Sequence, residues 1–169
     1  MKTKRELFGS RGGVLRTDCY SVYADYFVKY INESSNKETP IYAITCQNEP
    51  LYAPNDYPGM LMTSQEQKIF IRDFLGPKLK AAGLTTKIVA FDHNFDPEGI
   101  QYAKDVLADS DAQKYVSGTG FHTYTGSPHS GISDLHNMYP TKDIWMTEAG
   151  FGTWIGSWKI RIISKIKIY

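Results

Sequence analysis

Apolar positions recur along this chain in two rhythms, one helical and one continuous. Across 18–31, Tyr20, Tyr23, Ala24, Phe27, Val28 and Ile31 fall on one helical face, with Ser21, Asp25 and Lys29 opposite. Asp25 and Lys29 have the spacing of an i,i+4 ion pair. The run 41–46 is apolar throughout but for Thr45 and predicts a buried strand. Pro54, Pro58 and Gly59 make 51–62 a loop, and Thr63-Ser64-Gln65-Glu66 reads as a capping box opening a helix. That helix is expected to bury Ile69, Phe70 and Phe74, to be perturbed at Gly76-Pro77 and to stop at Gly83. A second strand, 87–91, runs into Asp92-His93-Asn94. Asp96-Pro97 is then an N-cap with proline at the first helical position, and Ile100, Ala103, Val106 and Leu107 follow in register. A third strand, 118–121, leads into His122-Thr123-Tyr124. A short helix covers 131–138, and a fourth strand, 144–147, ends at Glu148.

Continuous apolar strands separated by helices predict a parallel sheet with helices on its outer face. Polar groups close the strands at 49, 92, 122 and 148, steps of 43, 30 and 26 residues. A complete (β/α)8 barrel has about 250 residues, or roughly 31 per unit. The fold class expected is therefore α/β, an incomplete (β/α)8 TIM-type barrel of about four βα units, its first unit enlarged by the 51–62 loop. A doubly wound sheet would give the same alternation, but its phosphate loop needs a third glycine and a following helix. Gly118-x-Gly120 has neither.

Composition narrows the field without choosing a function. The 169 residues are 41% hydrophobic and 22% charged, with a net charge of +1, which gives no reason to expect nucleic acid or an anionic membrane as partner. No apolar stretch approaches the roughly 18 residues of a membrane span, and the charged start shows no signal-peptide core. Cys19 and Cys46 read as two free thiols, without the spacing of a metal knuckle.

The chemistry lies in two glutamates, Glu49 and Glu148, at the carboxyl ends of two strands. That is where barrel enzymes place catalytic groups, and a paired carboxylate set is what glycosidic cleavage needs. A single glutamate after a strand is by default a solvated loop residue; the pairing is what raises these two above it. Asp92 is as good a cap or turn acceptor as a ligand, and His93 as good a structural group as a functional one. His122 and Tyr124, two apart on an extended strand, point to the same side. His129 and His136 are expected at the surface, and Tyr20, Tyr23 and Phe27 in the core. A rival reading groups Glu49, Asp92, His93 and His122 as a metal site, though the His-x-His pair of such barrels is absent.

The ordered series Tyr23-Ala-Asp-Tyr-Phe-Val-Lys-Tyr30, Gln47-Asn48-Glu49-Pro50, Tyr57-Pro58-Gly59-Met60, Phe74-Leu75-Gly76-Pro77, Asp92-His93-Asn94, Gly118-Thr-Gly-Phe-His-Thr-Tyr124 and Thr147-Glu148-Ala149 resembles the glucosylceramidase-like glycoside hydrolases, family 30. The resemblance runs from about Tyr20 to Trp158 and corresponds to barrel strands four to seven. It implies a retaining β-glycosidase that hydrolyses β-glucosyl bonds by double displacement, with no cofactor. Glu49 would be the general acid/base and Glu148 the nucleophile. Asn48 would bond the sugar 2-hydroxyl, and Tyr57, Asp92, His122, Tyr124 and Trp154 would line the sugar site. The implied partner is a β-linked glucoside or glucan.

The resemblance stops abruptly after Trp158. The stretch 159–169 has five isoleucines, four basic residues and no acidic ones, so it is expected to be foreign to the 1–158 domain, or else a lineage-specific strand. With only four strands, the chain is expected to be a truncated product. Its exposed barrel edges would favour self-association, and an inactive fragment is the alternative to a working enzyme.

Overall fold

The structure, a computed structural model, describes residues 12–54, 57–128 and 131–150. Trp154 and the isoleucine-rich tail lie outside the described residues, as does His129.

A single 3-10 turn, Thr17–Cys19, leads into α1, Tyr20–Asn36. Tyr20, Ala24 and Ile31 are its buried positions. Asp25 pairs across to Lys78 rather than along its own helix to Lys29, because α1 lies against the helix that carries Lys78. Strand β1 is Ala43–Thr45, shorter than the apolar run, although pairing begins one residue earlier where the Lys87 N–H donates to the Tyr42 carbonyl at 2.9 Å.

The capping box forms as expected. The Glu66 N–H donates to the Thr63 hydroxyl and the Glu66 side chain accepts from the Thr63 N–H. It opens α2, Ser64–Phe70, which continues through a π-helical turn, Ile71–Leu75, into α3, Gly76–Ala81. The widened turn absorbs Pro77, which lacks an N–H to donate and would crowd a regular helix. Gly76 is required by packing, since a Cβ there would stand 2.2 Å from the Tyr115 ring. Fully buried Phe70, Ile71 and Leu75 anchor this helix, with Ile69 and Phe74 only partly buried. It ends in a Schellman motif at Gly83 (φ +68°), where Leu84 N–H reaches the Leu79 carbonyl at 3.0 Å.

Strand β2 is Lys87–Phe95 and α4 is Pro97–Leu107, with Ile100, Ala103, Val106 and Leu107 buried. The Asp96 side chain does not cap α4. It accepts instead from the Thr125 hydroxyl at 3.0 Å, drawn there by the pairing of β2 with β3. A short α5, Ser110–Gln113, is capped by Asp109. Then come β3 (Val116–Gly126), α6 (Ile132–Met138) and β4 (Asp143–Glu148).

The four strands are all parallel and lie in chain order, β1-β2-β3-β4. A doubly wound sheet reverses direction at its switch point; this one advances steadily, as a barrel wall does. Ile88, Ala90, Phe91, Val116 and Phe121 face the helices in one continuous core. Phe95 stacks on Phe121 at 4.7 Å, and each such buried ring stabilises by roughly 1.5–3 kcal/mol.

The other face is the barrel interior. Here the register slips at four places, and two of the slips shape the site. Phe91 pairs with Gly120 but His93 with Phe121, leaving Asp92 as the extra residue; Phe121 pairs with Met146 but His122 with Glu148, leaving Thr147 as the extra residue. A bulge changes which face the following side chains take. Ala90 and Phe91 thus both serve the helix-side core, and Asp92 turns inward.

Candidate active site

Each of the four strands delivers one polar group to the same interior point. The Asp92 carboxylate of β2 receives the Thr45 hydroxyl of β1 on Oδ2 at 2.6 Å. On Oδ1 it receives the Thr147 hydroxyl of β4 at 2.6 Å and the Nε2 of His122, from β3, at 3.0 Å. His122 is fully buried, and its remaining nitrogen, Nδ1, faces Glu49 Oε1 at 3.3 Å. Glu148 Oε2 lies 3.5 Å from His122 Nε2. The two glutamates foreseen from strand position therefore flank one imidazole.

Backbone geometry holds this arrangement under strain. Glu49 (φ +47°), Phe91 (φ +69°) and Asp92 (φ +89°) all occupy the left-handed region that non-glycine residues avoid. Such residues persist only where surrounding bonds over-determine them, and they gather at functional sites. The bonds are present: Glu49 N–H donates to the Asp92 carbonyl at 2.9 Å, and Phe91 N–H to the Gln67 side-chain oxygen at 2.8 Å.

Burial pushes the Asp92 carboxyl up, but the hydrogen bonds from His122, Thr147 and Thr45 outweigh it and hold Asp92 below the ordinary carboxylate value. Burial likewise pushes His122 down. The bond and charge of Asp92, with Glu148 and Glu49 behind them, more than reverse this and raise it. Nε2 donates to the Asp92 carboxylate, and Nδ1 is left to exchange a hydrogen bond with Glu49. His93 goes the other way: burial lowers it despite Glu49, whose Oε1 is 3.8 Å from its Nε2. Tyr124 donates its hydroxyl to Glu148 Oε1 at 2.7 Å and is pushed up to about 12, first by that bond.

The structure thus brings together Glu49, Asp92, His122, Tyr124 and Glu148, with His93 beside them. Asp92 is neither a helix cap nor a group turned to solvent; its bonds run to three other strands. Asn48 is exposed at the rim, where its carbonyl accepts from Gln47. Tyr57 lies in the 51–62 connection, its ring against Tyr52 with centroids 6.4 Å apart. Thr45, Gln67 and Thr147 went unforeseen as site residues; Thr147 stood in the Thr147-Glu148-Ala149 motif, whereas nothing in their local sequence marks Thr45 and Gln67. Asn94 sat in the right tripeptide; its side-chain oxygen accepts from the Tyr124 and Thr125 N–H groups, both at 3.1 Å. Among the described residues no His, Cys, Asp and Glu cluster has the geometry to hold a metal ion.

Comparison with known proteins agrees with the fold. An endo-1,6-beta-D-glucanase of Trichoderma harzianum is 42% identical over 130 residues, which is 76% of this chain and 26% of the relative. A putative glucosylceramidase of Caenorhabditis elegans is 31% identical over 90% of this chain and 30% of its own length. Among solved structures, an endo-β1,6-glucanase superposes with a TM-score of 0.82 at 39% identity, over 88% of this chain and 33% of that one. The chain spans less than a third of the length of these curated relatives. The family described as the glycosyl hydrolase family 30 TIM-barrel domain matches residues 1–164, and the chain belongs to it.

Proposed function

We propose that this chain carries the catalytic carboxylates of a retaining β-glycosidase acting on β-glucosyl bonds, with β-1,6-linked glucan as the preferred substrate. Glu49 donates a proton to the leaving oxygen while Glu148 attacks the anomeric carbon. Water, activated by Glu49, then releases the sugar from Glu148. Tyr124 fixes the orientation of Glu148, and Asn48 at the rim meets the sugar hydroxyls. The observation that carries this reading is the single imidazole of His122 flanked by both strand-end glutamates. The glucan preference is supported by the endo-1,6-glucanases among the more similar relatives.

The test is turnover by the purified full chain of β-1,6-glucan, an aryl β-glucoside and glucosylceramide, with Glu148→Gln as control. Hydrolysis of the glucan that vanishes in E148Q supports the reading. Activity that survives E148Q overturns the nucleophile assignment, and a folded chain that turns over none of the three supports an inert family segment. Among the described residues β1 and β4 form the two sheet edges, so we further infer self-association through them. A monomer by sedimentation at all concentrations would refute that.

A further inference from the structure

We propose that Gln67, on the outer helix α2, is a positioning residue for the interior site: its buried amide holds the Phe91–Asp92 bulge that turns Asp92 onto His122. Three observations carry this.

Gln67 is fully buried, and its side-chain oxygen accepts the Phe91 N–H at 2.8 Å. Phe91, paired with Gly120, is the last residue before the slip in register, and its N–H is taken by a side chain from the helix layer. At the same time Gln67 Nε2 is buried with no partner among the described residues. A group chosen for packing alone would be apolar, because an orphaned amide nitrogen costs stability. The retained amide is accounted for by what its oxygen does.

The bulge itself is strained at two successive non-glycine residues, φ +69° and +89°. Regular alternation after Ala90 would send Phe91 inward and Asp92 outward, away from His122. The helix layer also makes room for the outward Phe91 ring. A Cβ on Gly99 would stand 2.6 Å from Phe91 Cζ and 2.4 Å from the Asn94 carbonyl. Gln67 and Gly99, on two different helices, thus both shape the same kink without touching the carboxylates.

The readout is the titration of the His122 ring. That ring is faced by Glu49 after β1, by Asp92 and His93 of β2, by Tyr124 of its own strand and by Glu148 of β4. Nitrogen-detected NMR of the four histidines, with His122 assigned through His122→Asn, follows its midpoint in the full chain. Asp92→Asn sets the scale, because it removes the anion on Nε2. Gln67→Met, of similar length and without the amide, is expected to lower the His122 midpoint by an amount comparable to D92N. Phe70→Leu, a core change beside Gln67 that leaves the bulge bonds in place, is expected to leave the midpoint alone. A wild-type midpoint in Q67M, an unshifted D92N, or an equal fall in F70L would each overturn the proposal. Should Q67M not fold, Gly99→Ala presses on the same kink from α4 and is read in the same way. The consequence for turnover rests on the glycosidase reading, but the titration does not. A shifted midpoint in a chain that hydrolyses no glucoside refutes that reading alone.

Discussion

Replacing Thr45 with valine removes one hydroxyl and almost no volume, yet it should cost more than the same change at Thr147. Thr45 is the one donor to Asp92 Oδ2 among the described residues, at 2.6 Å, and Asp92 is only 6% exposed. Oδ1 has two donors, so Thr147→Val leaves it with His122, and Thr147 is itself exposed enough for water to take the vacated place. A hydrogen bond to a charged group contributes about 1.5–3 kcal/mol, and less where water can substitute. T45V is therefore expected to lose that amount and T147V less than about 1 kcal/mol. For a chain of this size about 1 kcal/mol moves Tm by roughly 2–4 °C, so T45V should melt about 3–12 °C lower at pH 7. The pH dependence gives a second handle. Asp92 is held below its ordinary value in the folded chain, so its bonds stabilise above the unfolded carboxylate value and are lost as pH falls through the folded one. The T45V deficit should accordingly be full at neutral pH and shrink in acid, while Thr45→Ser, which keeps the donor, stays near wild type. Melting by circular dichroism across that range decides. A T147V deficit as large as that of T45V, or a T45V deficit that grows in acid, would refute the account of Asp92 as a charged, clamped group.

Three further outcomes follow from single contacts. Tyr124→Phe removes the 2.7 Å donor from Glu148, so aryl-glucoside kcat should fall about 10–100-fold, the equivalent of about 1.5–3 kcal/mol, with Tm little changed; an unchanged kcat would sink the orienting role. Gly76→Ala should destabilise by about 1–3 kcal/mol despite alanine's better helix propensity, because its Cβ would meet the Tyr115 ring at 2.2 Å. Adding Tyr115→Leu should restore most of that loss in a denaturant melt. Thr63→Ala dismantles the capping box and should cost about 1 kcal/mol, with Thr63→Ser near neutral in the same melt.

What could be read from the chain alone, and what could not, divides along one physical line. Local patterns survived: the capping box, the glycine stop at Gly83, the register of α4 and the advance of four parallel strands all follow from neighbours a few residues apart. Ion pairing and capping by long-range choice did not. Asp25 took Lys78 and Asp96 took Thr125, since a side chain at a crowded interface selects among partners that local spacing never sees. The site shows the same division more sharply. Glu49, His122 and Glu148 could be placed by counting strand ends, but a strict period of two along β2 sends Asp92 to the helix side, where a buried carboxylate would have no partner. It is instead at the centre, because the chain breaks its period at Phe91, and the cause of that break lies 24 residues away at Gln67. A bulge of this kind has no local signature: Phe91 and Asp92 are ordinary residues in conformations that glycine would adopt with less strain. Their side chains cannot be exchanged for glycine's hydrogen, since Phe91 fills the core and Asp92 binds three strands. The strain is thus the cost of having a large apolar group and a buried anion at consecutive positions, one facing each layer. Tertiary bonds from α2, β1, β3 and β4 offset it, and those bonds are what hold the His122 ring in place between Glu49 and Glu148.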